Sequence, residues 1–171
     1  MNYLLKNNSA GFAMGKKSGS STRTRDKLSF SFQISSSVDQ ITRSIKMFDE
    51  FLENRNCCCS RTKNELSTAL SEALANAIIH GNKTDIEKCV KIKINIKKDR
   101  MIVSVKDMGA GFDYQNLPDP LAPENIKKTS GRGVYLMSML VDQVKFIRHK
   151  DGFEVRLIKF FTPKNHNSNF H

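Results

Sequence analysis

The sequence has no apolar run of the roughly 20 residues that a membrane-spanning helix requires. Residues 1–27 are polar and lack the apolar core of a secretory signal, so we do not expect export. Its cysteines are few, and three of them, Cys57, Cys58 and Cys59, are adjacent, without the C-x-x-C spacing of a structural zinc site. Reduced thiols in a cytoplasmic protein are therefore the simplest interpretation.

The usual signatures of nucleic-acid binding are also missing. The sequence contains no helix-turn-helix, zinc-finger or RNP motif, and aromatic residues make up only 8% of it. Its net charge is nevertheless +11, which suggests an anionic partner. We interpret the charge as a solvated surface plus a basic tail and expect no direct contact with nucleic acid. A basic nucleic-acid-binding domain remains an alternative.

The pattern of apolar residues predicts one folded domain between two polar tails. Residues 1–27 hold six basic residues and one acidic residue without periodicity, which predicts a disordered basic tail. We expect the folded domain over 28–161 and a frayed C-terminal tail over 162–171. The pattern predicts strands near 28–34, 90–96, 101–106, 144–149 and 153–161, and helices near 38–52, 63–80 and 132–141.

This order of elements predicts an α+β fold in two layers, with helices on one face of a mixed, mainly antiparallel sheet. Ser37 with Gln40, and Thr62 with Glu65, have the capping-box spacing that predicts the starts of the first two helices. Gly81 predicts the end of the second helix. The Asp-Gly pair at 151–152 predicts a tight hairpin between the last two strands.

The second predicted helix carries a polar stripe. About 100° per residue places Glu72, Asn76 and His80 on one side of it. Such a stripe is often only a solvated face. Asn is unfavourable inside a helix, however, and its amide oxygen suits Mg²⁺. Glu72, one turn earlier, would then lie near a γ-phosphate and could accept a proton from an attacking hydroxyl.

Two glycine-containing segments follow. Asp107 ends a strand, where its carboxylate could accept a hydrogen bond from the adenine amine, while Gly109 and Gly111 would let backbone approach the base and ribose. A plain strand-to-loop turn is the alternative for this segment.

The second glycine-containing segment opens the third predicted helix. Ser130, Gly131, Arg132 and Gly133 would offer backbone N–H groups and a positive charge to phosphate. A glycine-rich hinge is the alternative. The long proline-containing loop at 112–130 has the character of a lid, and no Gly-Lys-Ser/Thr of a Walker A loop is present.

Together these segments resemble the boxes of the GHKL-type ATP-binding fold, and among its members the anti-sigma factor serine/threonine kinases. SEALANAIIHGNK resembles the N box, VKDMGAGFD the first glycine box and SGRGVYLMSMLVDQV the second, while LPDPLAPEN is similar to a lid of this family. The resemblance spans about residues 28–159. The family often has Gly-Thr in the last hairpin, whereas this chain has Gly152-Phe153.

The resemblance implies a histidine-kinase-like ATP-binding domain that uses ATP and Mg²⁺. By position it implies Glu72 as the catalytic base and Asn76 as the magnesium ligand, with a nucleotide site formed by Asn76, His80, Asp107, Gly109, Gly111, Ser130, Gly131, Arg132 and Gly133. It further implies a cytoplasmic homodimer that binds a sigma factor and phosphorylates a serine of a small anti-sigma factor antagonist. A module that binds ATP and sequesters a partner without phosphorylating it is the first alternative.

Overall fold

The computed structural model of the protein describes residues 28–55, 58–114 and 132–161. Its elements are β1 (Leu28–Ser35), α1 (Asp39–Glu53), α2 (Ser60–Ala75), a π-helical turn (Asn76–Gly81), β2 (Cys89–Ile96), β3 (Arg100–Asp107), α3 (Arg132–Leu140), β4 (Gln143–His149) and β5 (Gly152–Phe160). The predicted tails, most of the predicted lid, Ser130 and Gly131 lie outside the described residues, as does Cys57. No helix in the described part is long and apolar enough to cross a membrane.

The five strands form one sheet in the order β1-β2-β3-β5-β4. Every pairing between them is antiparallel, so the sheet is antiparallel throughout its described strands and not mixed. The prediction of an α+β fold with a mainly antiparallel sheet is confirmed. The hairpin between β4 and β5 is also where it was predicted, although Gly152 is already paired with His149 and the loop consists of residues 150–151.

The core lies between the helices and one face of the sheet. In β2, Val90, Ile92 and Ile94 are buried while Lys91 and Lys93 between them are exposed, as the two-residue period of a strand requires. The helices fill this face with fully buried side chains, which are Phe48, Leu66, Leu70, Leu74, Ile78 and Met137. Burial of each large apolar side chain stabilises the fold by about 1.5–3 kcal/mol.

Both predicted capping boxes are wrong. The Ser37 hydroxyl contacts the Asp39 carboxylate, and Val38 precedes α1 without a side-chain cap. The second helix begins at Ser60, so Thr62 lies inside it. Glu65 pairs instead with Arg61 at 2.9 Å and with Lys159 of β5 at 2.7 Å. A long-range ion pair therefore replaces the predicted local cap and ties α2 to the sheet.

The second helix also ends differently from the prediction. Its α-helical part stops at Ala75, and the chain continues as a π-helical turn through Gly81. The N–H of Asn82 donates to the carbonyl of Ala77 at 2.8 Å, five residues back, which is the π pattern. Asn76, an unfavourable residue for an α-helix, stands where the hydrogen-bonding pattern changes.

Candidate nucleotide site

A cavity of about 410 Å³ opens between the helical layer and the ends of β3 and β5. It is lined by Glu72, Ala75, Asn76, Ala77, His80, Gly81, Asp107, Gly111, Phe112, Gly133, Val134, Phe153 and Val155. Six residues of the predicted site are therefore brought to one place, although they come from three separated segments. Gly109 and Arg132 are not part of this lining.

Glu72 and Asn76 form the polar part of one wall. They lie four residues apart across the end of α2, and both are half-buried. Neither side chain makes a hydrogen bond or ion pair with any residue in the described ranges. Polar groups that are partly buried and have no protein partner are suited to bind a ligand or water.

Gly133, near the start of α3, lies directly against this pair. A Cβ atom added to Gly133 would stand 2.8 Å from Oε2 of Glu72 and 3.5 Å from Nδ2 of Asn76. Only glycine therefore allows α3 to approach the carboxylate without displacing it. The predicted role of Gly133 was phosphate contact, and the structure adds a packing reason for glycine here.

Asp107 supplies a nearly buried carboxylate at the floor of the cavity, with 5% of its surface exposed. The N–H of Gly109 donates to Oδ1 at 2.7 Å. Burial raises the pKa of Asp107 above its ordinary value, and the Gly109 hydrogen bond opposes this rise only in part. The carboxylate is thus held in a weakly hydrated place where an added hydrogen-bond donor would be favourable.

Two further glycines fix the position of this carboxylate. A Cβ on Gly81 would meet the Cγ atom of Asp107 at 2.6 Å, and a Cβ on Gly109 would meet the carbonyl oxygen of Gly81 at 2.3 Å. The sequence predicted that Gly109 approaches the ligand, whereas here its close approach is to the π-helical turn. This contact packs the turn against the end of β3.

Asn82, which the sequence reasoning missed, joins three strand ends beneath the site. Its buried amide donates through Nδ2 to Oγ of Ser36 at 2.7 Å and to the carbonyl of Cys89 at 3.1 Å. Its Oδ1 accepts from the N–H of Met108 at 2.8 Å, next to Asp107. A polar residue directly after the helix-ending Gly81 was the only signal in the sequence, and it reads as an ordinary turn.

An aromatic wall closes the side of the cavity next to Asp107. Phe153, paired with Asp107 across β3 and β5, is 1% exposed and lines the cavity. Its ring packs against Phe112 and Phe146, with ring centroids 5.4 Å and 6.2 Å away. Gly111, at φ +73°, is required here, because a Cβ would stand 2.3 Å from the Phe153 ring.

The sheet order and this cavity define the chain as a GHKL-type domain, in which a helix carrying Glu and Asn faces an Asp at a strand end. The family model of the histidine kinase-like ATPase domain matches residues 34–159 of this chain. The chain belongs to this family, and the resemblance seen in the sequence is confirmed.

Curated relatives agree with this assignment. The chain is 31% identical over 102 residues to serine-protein kinase RsbW of Bacillus cereus strain AH187, a stretch that covers 56% of this chain and 62% of that protein. It is 30% identical, with the same coverage, to serine-protein kinase RsbW of Bacillus anthracis strain CDC 684. The match thus spans somewhat less than two thirds of these relatives.

A solved structure shows the same fold. The crystal structure of the RsbU and RsbW domains of Rv1364c from Mycobacterium tuberculosis matches with a TM-score of 0.58 and 15% identity. The match covers 80% of this chain and 33% of that one. At this identity the likeness concerns the fold alone.

Proposed function

We propose that the protein is an ATP-dependent protein serine kinase that acts as an anti-sigma factor in the cytoplasm. In this proposal a homodimer sequesters a sigma factor and phosphorylates a serine of a small anti-sigma factor antagonist. The observation that carries the kinase part is the placement of Glu72 and Asn76, neither bonded to another described residue, in one cavity with the buried carboxylate of Asp107. The named relatives are serine-protein kinases, which supports the same assignment.

The base pocket is formed by Asp107 and the aromatic wall. The buried carboxylate would accept a hydrogen bond from the exocyclic amine of adenine, which guanine lacks at the corresponding position. Phe153 and Phe112 offer apolar ring surface beside it. This pocket therefore suits adenine through one directional contact and apolar packing.

The phosphate end is formed by Glu72, Asn76 and the start of α3. The amide oxygen of Asn76 fits Mg²⁺, which takes oxygen ligands and keeps several of its waters. When bound, the ion would neutralise negative charge on the β- and γ-phosphates. The N-terminus of α3 and Arg132, which begins this helix but does not line the cavity, would add positive potential at the same end.

Glu72 is proposed as the general base. Its carboxylate would take the proton of the acceptor serine while the serine oxygen bonds to the γ-phosphorus and the bond to the β,γ-bridging oxygen breaks, releasing ADP. Within the described ranges no other side chain is bonded to this carboxylate, which leaves it available for the transfer. Gly133 leaves it undisplaced, because a Cβ atom at this position would stand 2.8 Å from Oε2.

The decisive experiment is phosphotransfer from labelled ATP to candidate antagonist proteins of the same genome, with wild type and Glu72→Gln compared. We expect transfer to a serine by the wild type and a loss of about 10²–10⁴-fold in the variant, with ATP affinity nearly unchanged. Glu65→Gln, on the same helix but bonded to Lys159, is the matched control. Transfer at wild-type rate by Glu72→Gln would refute the role of Glu72.

A binding-only module is the second candidate, and Phe153 favours it. This ring occupies the strand position where the family often has threonine, so the pocket departs from the family pattern. ATP binding and partner sequestration without any transfer to a serine-bearing antagonist would establish this alternative.

A further inference from the structure

The face of the sheet opposite the helices is strongly basic. A shallow concavity of about 390 Å³ on this open face is lined by Lys91, Lys93, Asn95, Lys97, Ile102, Ser104, Lys106, Glu154 and Arg156. Five of these nine residues are basic and one is acidic. The sequence showed alternating lysines on one predicted strand, and the fold adds basic residues from two further strands.

The strand register brings these charges close together. Lys91 is paired directly with Lys106 across β2 and β3. Lys93 is paired with Ser104, which is paired in turn with Arg156, and Arg156 with Lys145. Like charges directly opposite each other destabilise a sheet, so this arrangement has an unfavourable contribution to folding.

The protein itself balances only part of this charge. Lys106 pairs with Asp151 at 2.6 Å, and Arg156 pairs with Glu154 at 2.8 Å. Lys91, Lys93 and Lys97 make no ion pair with any residue in the part of the chain that the structure describes. Three exposed ammonium groups thus lie around one concavity without an ion-pair partner among the described residues.

Contrary to the expectation from the sequence alone, we propose that this open face binds the phosphate backbone of duplex nucleic acid without reading its sequence. Lysine is depleted in protein–protein interfaces, whereas interfaces with nucleic acid are much more positively charged. None of the nine lining residues is aromatic, so the concavity offers no platform for stacking unpaired bases. A second copy of the chain and its basic N-terminal segment carry the same sign of charge and do not complement the face.

The two faces of β3 separate this surface from the candidate nucleotide site. Lys106 lies in the open face, and the next residue, Asp107, lies in the helix-side cavity. Successive side chains of a strand point to opposite faces. Duplex binding therefore does not compete with nucleotide for space, and this proposal is independent of kinase activity.

The test is the salt dependence of binding of the full chain to a short fluorescent DNA duplex. Contacts to three to five phosphates give a slope of log K against log salt of about −2.7 to −4.5. The double variant Lys91→Gln/Lys93→Gln removes two contacts, so its slope should be shallower by about 1.8. Arg43→Gln/Lys46→Gln on α1 removes the same charge from exposed side chains outside the face and is the control.

The expected result is a shallower slope in the open-face variant alone, with nucleotide affinity unchanged in both variants and no loss of Tm in the open-face variant, since Lys91 no longer opposes Lys106. If the slope of the Arg43/Lys46 control became equally shallow, only the net charge of the protein would matter and the proposal would be overturned. Poly-glutamate that binds as tightly as the duplex, and loses affinity in the same variant, would assign the face to an acidic polypeptide instead. The proposal would also be overturned if the wild-type protein bound neither the duplex nor poly-glutamate at low salt.

Discussion

Asp107→Asn should make the protein more stable and its nucleotide binding weaker. The carboxylate is nearly buried and receives one hydrogen bond from another described residue, from Gly109. An asparagine keeps an acceptor for this N–H but carries no charge to desolvate. The substitution therefore removes the cost of desolvating a charge in the folded state, and it also weakens the proposed contact to adenine.

The sign of the pH dependence follows from the raised pKa of Asp107. Between its ordinary value and the raised folded value, the folded state binds more protons than the unfolded state, so stability falls as pH rises through this window. At neutral pH the variant should melt at a higher temperature than the wild type. The difference should shrink as pH falls below the ordinary carboxyl pKa, where the wild-type carboxyl is protonated in both states.

The energy of the proposed hydrogen bond between adenine and Asp107 sets a range for the loss of ATP affinity. A hydrogen bond to a charged group contributes about 1.5–3 kcal/mol, which corresponds to about 10- to 150-fold in Kd for ATP. The preference for ATP over GTP should fall as well, because the asparagine amide can both accept and donate. Calorimetric titration and thermal melts from acidic to neutral pH measure both effects.

Asp151→Asn is the matched control. Asp151 is exposed in the β4–β5 hairpin, and its hydrogen bond from Lys106 lowers its pKa. Any stability that this group contributes is present above its ordinary pKa and is lost as pH falls, the opposite sign to Asp107. ATP affinity should not change. If Asp107→Asn were less stable than wild type at neutral pH, the reasoning from burial would be refuted.

Three further substitutions test the geometry of the site. Asn76→Ala should weaken ATP binding in the presence of Mg²⁺ much more than in EDTA, and equal losses in both would remove the magnesium assignment. Gly133→Ala should lower phosphotransfer more than ATP affinity, because the new Cβ would stand 2.8 Å from Oε2 of Glu72; unchanged transfer would show that Glu72 tolerates displacement. Asn82→Ala removes three hydrogen bonds from buried groups at about 1–3 kcal/mol each, and at about 2–4 °C per kcal/mol its Tm should fall by at least about 6 °C, whereas the exposed Asn64→Ala should melt like wild type.

The sequence predicted those features that depend on local periodicity. Alternation predicted the strands to within a residue or two at most ends, because in β2 and β3 buried side chains alternate with more exposed ones. The stripe of Glu72, Asn76 and His80 was predicted from helical spacing, and the structure brings all three to one cavity. Their roles in binding and catalysis remain predictions.

Features that depend on distant partners were missed. The capping pattern at Thr62 failed because Glu65 pairs with Lys159, which only the folded sheet brings near. Gly111 lines the cavity and its predicted contact to the ligand stays a prediction, but the packing of Phe153 against its α-carbon could not be foreseen from the sequence. The clustering of the lysines likewise required the strand register, which the sequence alone did not fix.

The aromatic wall has a practical consequence for spectroscopy. The chain contains no tryptophan and three tyrosines. One of them, Tyr114, stacks on Phe146 at 4.8 Å between ring centroids and also packs against Phe153, which lines the cavity. With Tyr3 and Tyr135 replaced by phenylalanine, the remaining phenol would be a native fluorophore beside the proposed base pocket. Its emission would then follow nucleotide occupancy in real time without any attached dye.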